Sequence, residues 1–228
     1  MTITERFNAA FVAGDRYKLY ISGLGITLEI ALFAAILGVV IGTILALMKL
    51  SAKEDGRPTA FYYIATVYVD IIRGTPSVLQ LLIMWFIVMA SSNNGILVAS
   101  LSFGLNSAAY VSEIVRGGIL AVDKGQMEAG RSLGLSKAQT MQYIVLPQAM
   151  KNVIPPLGNE FITLIKETAI VGYVSLADLT RVANQVASRT YDAFMPLIGA
   201  AVIYFVVIKI LTLILGNLER RMRKSDNR

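Results

Sequence analysis

Eight ionisable side chains interrupt long apolar stretches of this sequence: Glu29, Asp70, Glu113, Glu160 and Glu167 against Arg73, Lys166 and Lys209. A charge at the centre of a membrane helix costs about 2.5–3.5 kcal/mol on insertion scales, so such residues are candidates for recognition or ion movement. Asp70 and Arg73 lie three apart and share one helix face. Glu160, Thr163 and Glu167 follow i, i+3, i+7, a single helical stripe, and Lys166 flanks it. Thr75 sits in Gly74-Thr75-Pro76, a sequence that breaks a helix and frees backbone groups. Such a set could hold a solute carrying both signs of charge. Alternatively the charges pair with one another and fix helix packing, as buried pairs often do; for Glu113 the partner would be Arg116. Covalent chemistry is not in view. The chain has no cysteine and no histidine, which removes thiolate nucleophiles, disulfides, Cys/His zinc sites and histidine bases.

The elements that position these residues are membrane helices. Of 228 residues, 55% are apolar and 16% charged, with a mean hydropathy of +0.62; soluble chains carry about 25% charged residues. A span needs roughly 20 apolar residues. The pattern predicts five: Leu24 to Met48, Pro58 to Ala90 with a break near Gly74-Thr75-Pro76, a third from Ile96, Asn152 to Val174, and Ala193 to Leu218. Ser91 to Gly95 reads as the turn after the second. If the second span starts at Pro58, Gly74 lies about 24 Å along its axis, well inside the bilayer. Broken helices at that depth are tolerated where they line a cavity. Glu29 falls in the outer third of the first span and Glu113 nearer the cytoplasm. Gly38 and Gly42 form a small-xxx-small pair suited to close helix packing.

Basic residues set the orientation. Thirteen fall on one side: Lys49, Lys53, Arg57, Arg116, Lys124, Arg131, Lys137, Lys151, Arg220, Arg221, Arg223, Lys224 and Arg228. Five fall on the other: Arg6, Arg16, Lys18, Arg181 and Arg189. The N-terminus is therefore expected outside and the C-terminus in the cytoplasm. Residues 1–20 lack the uninterrupted apolar stretch of a cleavable signal. Phe7, Phe11, Leu19 and Tyr20 among charges read instead as an interfacial segment. The expected organisation is one membrane domain over residues 1–228.

The longest charged interval, Arg116 to Lys151, exceeds the length of a bare connector. Gln126 to Leu133 predicts a short helix that Gly134 terminates. Ser136 caps a second helix from Lys137 to about Val145, and Pro147 stops or kinks it. Met127, Ala129, Leu133, Leu135, Met141 and Ile144 offer apolar contacts, with room for another backbone at Ala129 and Gly130. This is a protein docking element or, alternatively, an amphipathic helix lying on lipid headgroups.

Spacing separates those readings. Glu128-Ala129-Gly130, three residues, Gly134, nine residues, Ile144, one residue and Leu146-Pro147 resembles the EAA signature of ABC importer permeases, with Gly130 in place of an alanine. Asp70 to Pro76 resembles the RGTP segment of the polar amino acid branch. Ala108 to Ile119, Leu146 to Ala149, Pro155 to Phe161 and Leu164 to Thr168 are similar to that branch too. The likeness runs over residues 20 to 220. It implies an all-α integral membrane protein with the type I ABC importer transmembrane fold, multi-pass in a prokaryotic cell membrane. It also implies a second permease subunit (a like or a different chain), two ATPase subunits carrying ATP and Mg, an extracytoplasmic amino acid-binding protein and a polar amino acid substrate. No cofactor, metal or nucleic acid is expected on this chain. By resemblance, residues 126–147 form the coupling region. Glu128, Ala129, Gly130, Gly134 and Leu135 meet a groove on the ATPase, and Ile144 and Pro147 brace the loop.

The sequence agrees that energy comes from elsewhere, since no G-x-x-x-x-G-K-[ST] phosphate loop occurs. Such a permease would work by alternating access. An amino acid brings a carboxylate, for Arg73 or Lys166, and an ammonium, for Asp70, Glu160 or Glu29. The excess of acids over bases within spans tilts the expectation toward a basic amino acid. The rival reading is a carrier or channel driven by an ion gradient, with the same charges as relays and no ATPase.

Overall fold

The computed structural model describes residues 2–51 and 57–224, with side chains through Met222. Lys53 and Arg228, and the side chains of Arg223 and Lys224, lie outside the described residues. Among these residues the elements are helices joined by short turns. The chain runs as α1 (Ile3–Phe7), α2 (Tyr17–Leu50), α3 (Ala60–Arg73), α4 (Ser77–Ile83), α5 (Gly95–Leu120), α6 (Lys124–Ser132), α7 (Lys137–Thr140), α8 (Leu146–Glu167), α9 (Leu179–Thr190) and α10 (Phe194–Lys224). Single π turns follow α1, α4 and α7, and a 3-10 stretch, Thr168–Val174, follows α8.

Three described helices are long and apolar enough to cross a bilayer: α2, α5 and α10 through Met222. The bent pair of α3 and residues 77–88 makes a fourth if taken as one span. Its break falls where the sequence predicts, at Gly74 to Pro76. Gly74 closes α3 by donating its N–H to the Asp70 carbonyl, and Pro76 occupies the N-cap of α4. α8, where a fourth of five spans is expected, has 22 residues but carries Lys151, Glu160, Lys166 and Glu167 and two internal prolines. It falls short of the apolarity of the others.

The chain forms two compact units. One comprises Met1–Ala35, Pro76–Gly104 and Phe161–Ile214, the other Ile36–Thr75, Leu105–Glu160 and Leu215–Arg228. The core of the first packs Ile30, Leu81, Phe103, Leu164 and Ile165. A second cluster of that unit gathers Tyr20, Leu179, Val182, Val186 and Ala200, with Phe11 against them. Phe11 meets Tyr20 at 5.0 Å between ring centroids and approaches Gly199 so closely that a Cβ there would lie 2.2 Å from it. So Phe11 and Tyr20 pack against protein, while Phe7 and Leu19 are exposed.

In the other unit, α2 and α5 meet through small residues. A Cβ on Gly42 would lie 2.8 Å from the Ala108 carbonyl oxygen, and one on Gly38 would lie 3.0 Å from the Ser107 Cβ. This is the backbone approach that the Gly38/Gly42 spacing predicts. α8 meets α10 in the same way, with Gly158 against Leu215.

Two features depart from expectation. Pro147 does not stop its helix. The turn before it, Met141–Val145, is a π turn, and Pro147 takes the second position of α8. The π turn before it widens the helix, which gives the ring room inside a continuous helical run. The second departure is α9, which crosses a stretch with no helix expected. Asp178 caps it, accepting from the backbone N–H groups of Thr180 and Arg181. Leu179, Val182, Ala183 and Val186 bury one stripe of it.

Candidate functional site

In the unit built on residues 36–75 and 105–160, Asp70, Arg73 and Thr75 are exposed. No ion pair joins Asp70 to Arg73 among the described residues. The Arg73 guanidinium instead stacks over the Tyr110 ring, 5.3 Å from its centroid, an attraction of about 0.5–1 kcal/mol at an exposed site. Thr75 donates its hydroxyl to the Ile71 carbonyl at 2.9 Å. It thereby satisfies an end group of the broken helix.

Glu160 is half-buried and accepts a 2.8 Å hydrogen bond from the Ser107 hydroxyl. Glu113 accepts from Lys49 Nζ at 2.5 Å and from Arg116 Nη2 at 2.7 Å. Lys49 is only 10% exposed in this cluster. The Arg116 partner was legible from a three-residue spacing. Lys49, 64 residues away, carries no sequence signal for it. The Lys49 ammonium and the Arg116 guanidinium both contact this one carboxylate, and the Lys49 pair ties α2 to α5.

In the other unit, Glu29 and Lys166 are exposed, and Thr163 and Glu167 are half-buried. The acid that sequence reasoning missed is Asp178, fully buried at 0% exposure. Burial pushes its carboxyl above the usual range, offset by the backbone hydrogen bonds of the cap. The Tyr204 hydroxyl donates to it at 3.4 Å, and the Thr27 hydroxyl accepts from the Leu179 N–H at 3.3 Å. A signal existed, since Asp followed by apolar residues at helical spacing is a helix start.

The segment expected to couple, residues 126–147, runs through α6, α7, the π turn Met141–Val145 and the start of α8. Asp123 opens α6 by accepting from the Gly125 N–H at 2.6 Å. At its end Leu135 N–H bonds the Gly130 carbonyl and Gly134 N–H the Arg131 carbonyl, the paired bonds of a Schellman close. Gly134 adopts φ +86° with open space around its Cβ position. The left-handed turn, not crowding, is what requires glycine there. Ser136 and Gln139 then form a reciprocal capping box for α7.

Gly130 is buried. Its Cβ would meet Thr140 Cγ2 at 2.4 Å and Ile144 Cδ1 at 3.0 Å. The space it leaves is filled by the chain's own second helix, not kept open for a partner. Ile144 is thus part of the internal brace, and Gln148 adds a 3.2 Å bond to Gln126. Pro147 is exposed. What remains outward is Glu128, Ala129, Gly134 and Leu133, the last 81% exposed, with Leu135 half-buried. The arrangement is a rigid corner with a small apolar tip and one acid. No group of histidine, cysteine, aspartate and glutamate able to hold a metal occurs among the described residues.

The family described as binding-protein-dependent transport system inner membrane component matches residues 38–224. The chain is 44% identical to the arginine transport system permease protein ArtQ of Bacillus subtilis strain 168, over 90% of this chain and 93% of that one. It is 35% identical to the glutamine transport system permease protein GlnP of Escherichia coli strain K12, over 86% and 90%. A crystal structure of an amino acid ABC transporter with histidines superposes with a TM-score of 0.84 at 41% identity, covering 97% of this chain and all of that one. The chain therefore belongs to the family of binding-protein-dependent transport system inner membrane components, multi-pass permeases of ABC importers whose ATPase is a separate subunit.

Proposed function

We propose that this permease carries polar amino acids, basic ones foremost, in an ATP-driven importer. The observation that carries the reading is the 44% identity, across nine-tenths of the chain, to a permease named for arginine transport. The excess of acids within the apolar stretches supports the same substrate class. The working complex pairs this chain with a second permease subunit, like or different. Two ATPase subunits binding ATP and Mg, and an extracytoplasmic amino acid-binding protein, complete it.

The chain crosses the membrane five times with its N-terminus outside, α8 serving as the fourth crossing despite its charges. The thirteen-to-five division of basic residues supports that orientation. Residues 1–20 lie at the outer interface, where exposed Ile3, Phe7 and Val12 would reach lipid. The tip of the coupling region, Glu128, Ala129, Gly134 and Leu135, seats in the ATPase. Gly130, Ile144 and Pro147 keep that tip in shape. Because the corner is braced internally, motion of the ATPase reaches α8 as a push on a stiff element rather than bending of a loop. Along the pathway, Arg73 faces the carboxylate of the solute and Asp70 or Glu160 its ammonium. Thr75 orders the backbone of the break. Glu29, Thr163, Lys166 and Glu167 are further polar groups for the route. Glu113 holds α2 to α5 while the helices move.

The test is uptake into proteoliposomes holding the complete complex, with arginine, glutamine and glutamate in competition. Arginine is expected to compete best, and uptake to require ATP inside. Equal competition by all three would refute the basic preference. ATP-independent accumulation by this chain alone would restore the gradient-driven reading.

A further inference from the structure

The 3-10 stretch Thr168–Val174 and the first turns of α9 enclose a cavity of about 420 Å³ lined by Gly172, Tyr173, Thr180, Arg181 and Asn184, with Ala169 and Ile170. Arg181 dominates its chemistry. The side chain is half-buried and its stem passes Gly172, whose Cβ would lie 3.5 Å from Arg181 Cδ. Its Nε is buried and has no partner, and no ion pair joins the guanidinium to an acid among the described residues. Asp178, the nearest acid in sequence, has its oxygens turned to the backbone N–H groups of Thr180 and Arg181 and to Tyr204. A guanidinium is never neutral in a protein, and its fork matches a carboxylate in two parallel bonds. A buried donor left unmade is costly, and an anion entering the cavity would supply its partner.

We propose that this cavity receives a carboxylate side chain, Asp or Glu, presented by the extracytoplasmic binding protein. Arg181 supplies the fork, and the Asn184 amide and Thr180 hydroxyl lie beside it. The occupant is not the transported amino acid. No acidic side chain lines the cavity, so an ammonium or a basic side chain would enter unpaired. A protein carboxylate brings only the charge that the pocket complements. Exposed Tyr173, at 71%, stands on the rim, where an aromatic ring favours a protein partner. The inference rests on the importer reading and on the outward orientation of α9.

The experiment uses the assembled complex in proteoliposomes, with ATPase rate and uptake measured against binding-protein concentration. Arg181→Gln and Arg181→Ala are expected to raise the half-maximal binding-protein concentration about thirtyfold or more, as loss of one partner of a buried, hydrogen-bonded charge pair does. The rate at saturating binding protein and the assembly of the complex stay as in the native protein. Arg181→Lys recovers part of the loss. Charge reversal of the matching acid on the binding protein, together with Arg181→Glu, recovers more.

An unchanged half-maximal concentration overturns the proposal. So does failure of all three single variants to assemble, which would place the carboxylate on a second permease copy or make the arginine structural. A changed preference among amino acids at saturating binding protein also overturns it, assigning the cavity to substrate. If the native complex responds to no binding protein at all, the importer reading itself fails, a result separate from any effect of Arg181.

Discussion

Replacing Gly134 by alanine tests whether the corner of the proposed coupling region must hold its shape. The residue sits at φ +86°, and a Cβ there would meet nothing within 4 Å. The substitution therefore adds backbone strain and no clash. A left-handed conformation costs an L-residue roughly 1–2 kcal/mol, a factor of about 5–30 in the population of the native corner. Asparagine tolerates this conformation far better than alanine, and valine worse. Uptake per ATP hydrolysed in proteoliposomes should follow the order Gly, Asn, Ala, Val. The Ala variant should lose severalfold and the Asn variant much less. Far-ultraviolet circular dichroism should be unchanged, because only the corner is affected. If alanine and valine couple as well as glycine, or asparagine couples as poorly as valine, the left-handed turn is not what transmits the stroke.

Three further outcomes follow from the packing. Gly130→Ala drives a methyl against Thr140 Cγ2 and should lower stability by about 1–3 kcal/mol; adding Thr140→Ser removes that methyl and should recover part of the loss in a detergent thermal melt. Glu113→Gln leaves Lys49 and Arg116 short of their acid and should cost about 2 kcal/mol, below the ~3–5 of a fully buried pair because all three keep some exposure; Lys49→Met on top of it should cost less than the sum of the two changes. Asp178 has a folded-state pKa raised by burial, so its ionised form is the disfavoured one in the folded chain. Its penalty is absent below the ordinary carboxylate value of about 3.9 and grows as pH climbs through the folded value. Asp178→Asn keeps an oxygen for the cap and should flatten that part of the melting-temperature profile against pH; an unchanged slope would show the burial effect to be fully offset by the cap.

Local chemistry made much of the site legible. Gly134 and Ser136 are stop and start signals that act within a few residues, and both perform the role their spacing predicts. The break at Gly74 to Pro76 is equally local, as is the Gly38/Gly42 approach, whose partner on α5 was not named by the pattern. α9 was legible too, through Asp178 and the apolar positions 179, 182, 183 and 186. Its polar face keeps it below the apolarity of a span, so span length and apolarity alone do not pick it out.

Other features have no local signal. Ser107 and Glu160 are 53 residues apart, and nothing in either neighbourhood says they will meet. The same holds for Lys49 with Glu113, and for Gly130 with Thr140 and Ile144. Residue type and period decided, without any coordinates, that this chain is a helical membrane protein without cysteine or histidine, with a glycine-cornered helix pair carrying Glu128 and Gly134. Folding decided which charges are tied, which small residues are already filled by neighbours, and that Arg181 lines a cavity with no acid of its own. Hydrogen bonding and steric fit depend on atoms brought together from distant parts of the chain, whereas turn chemistry and helix periodicity depend on neighbours already joined by it.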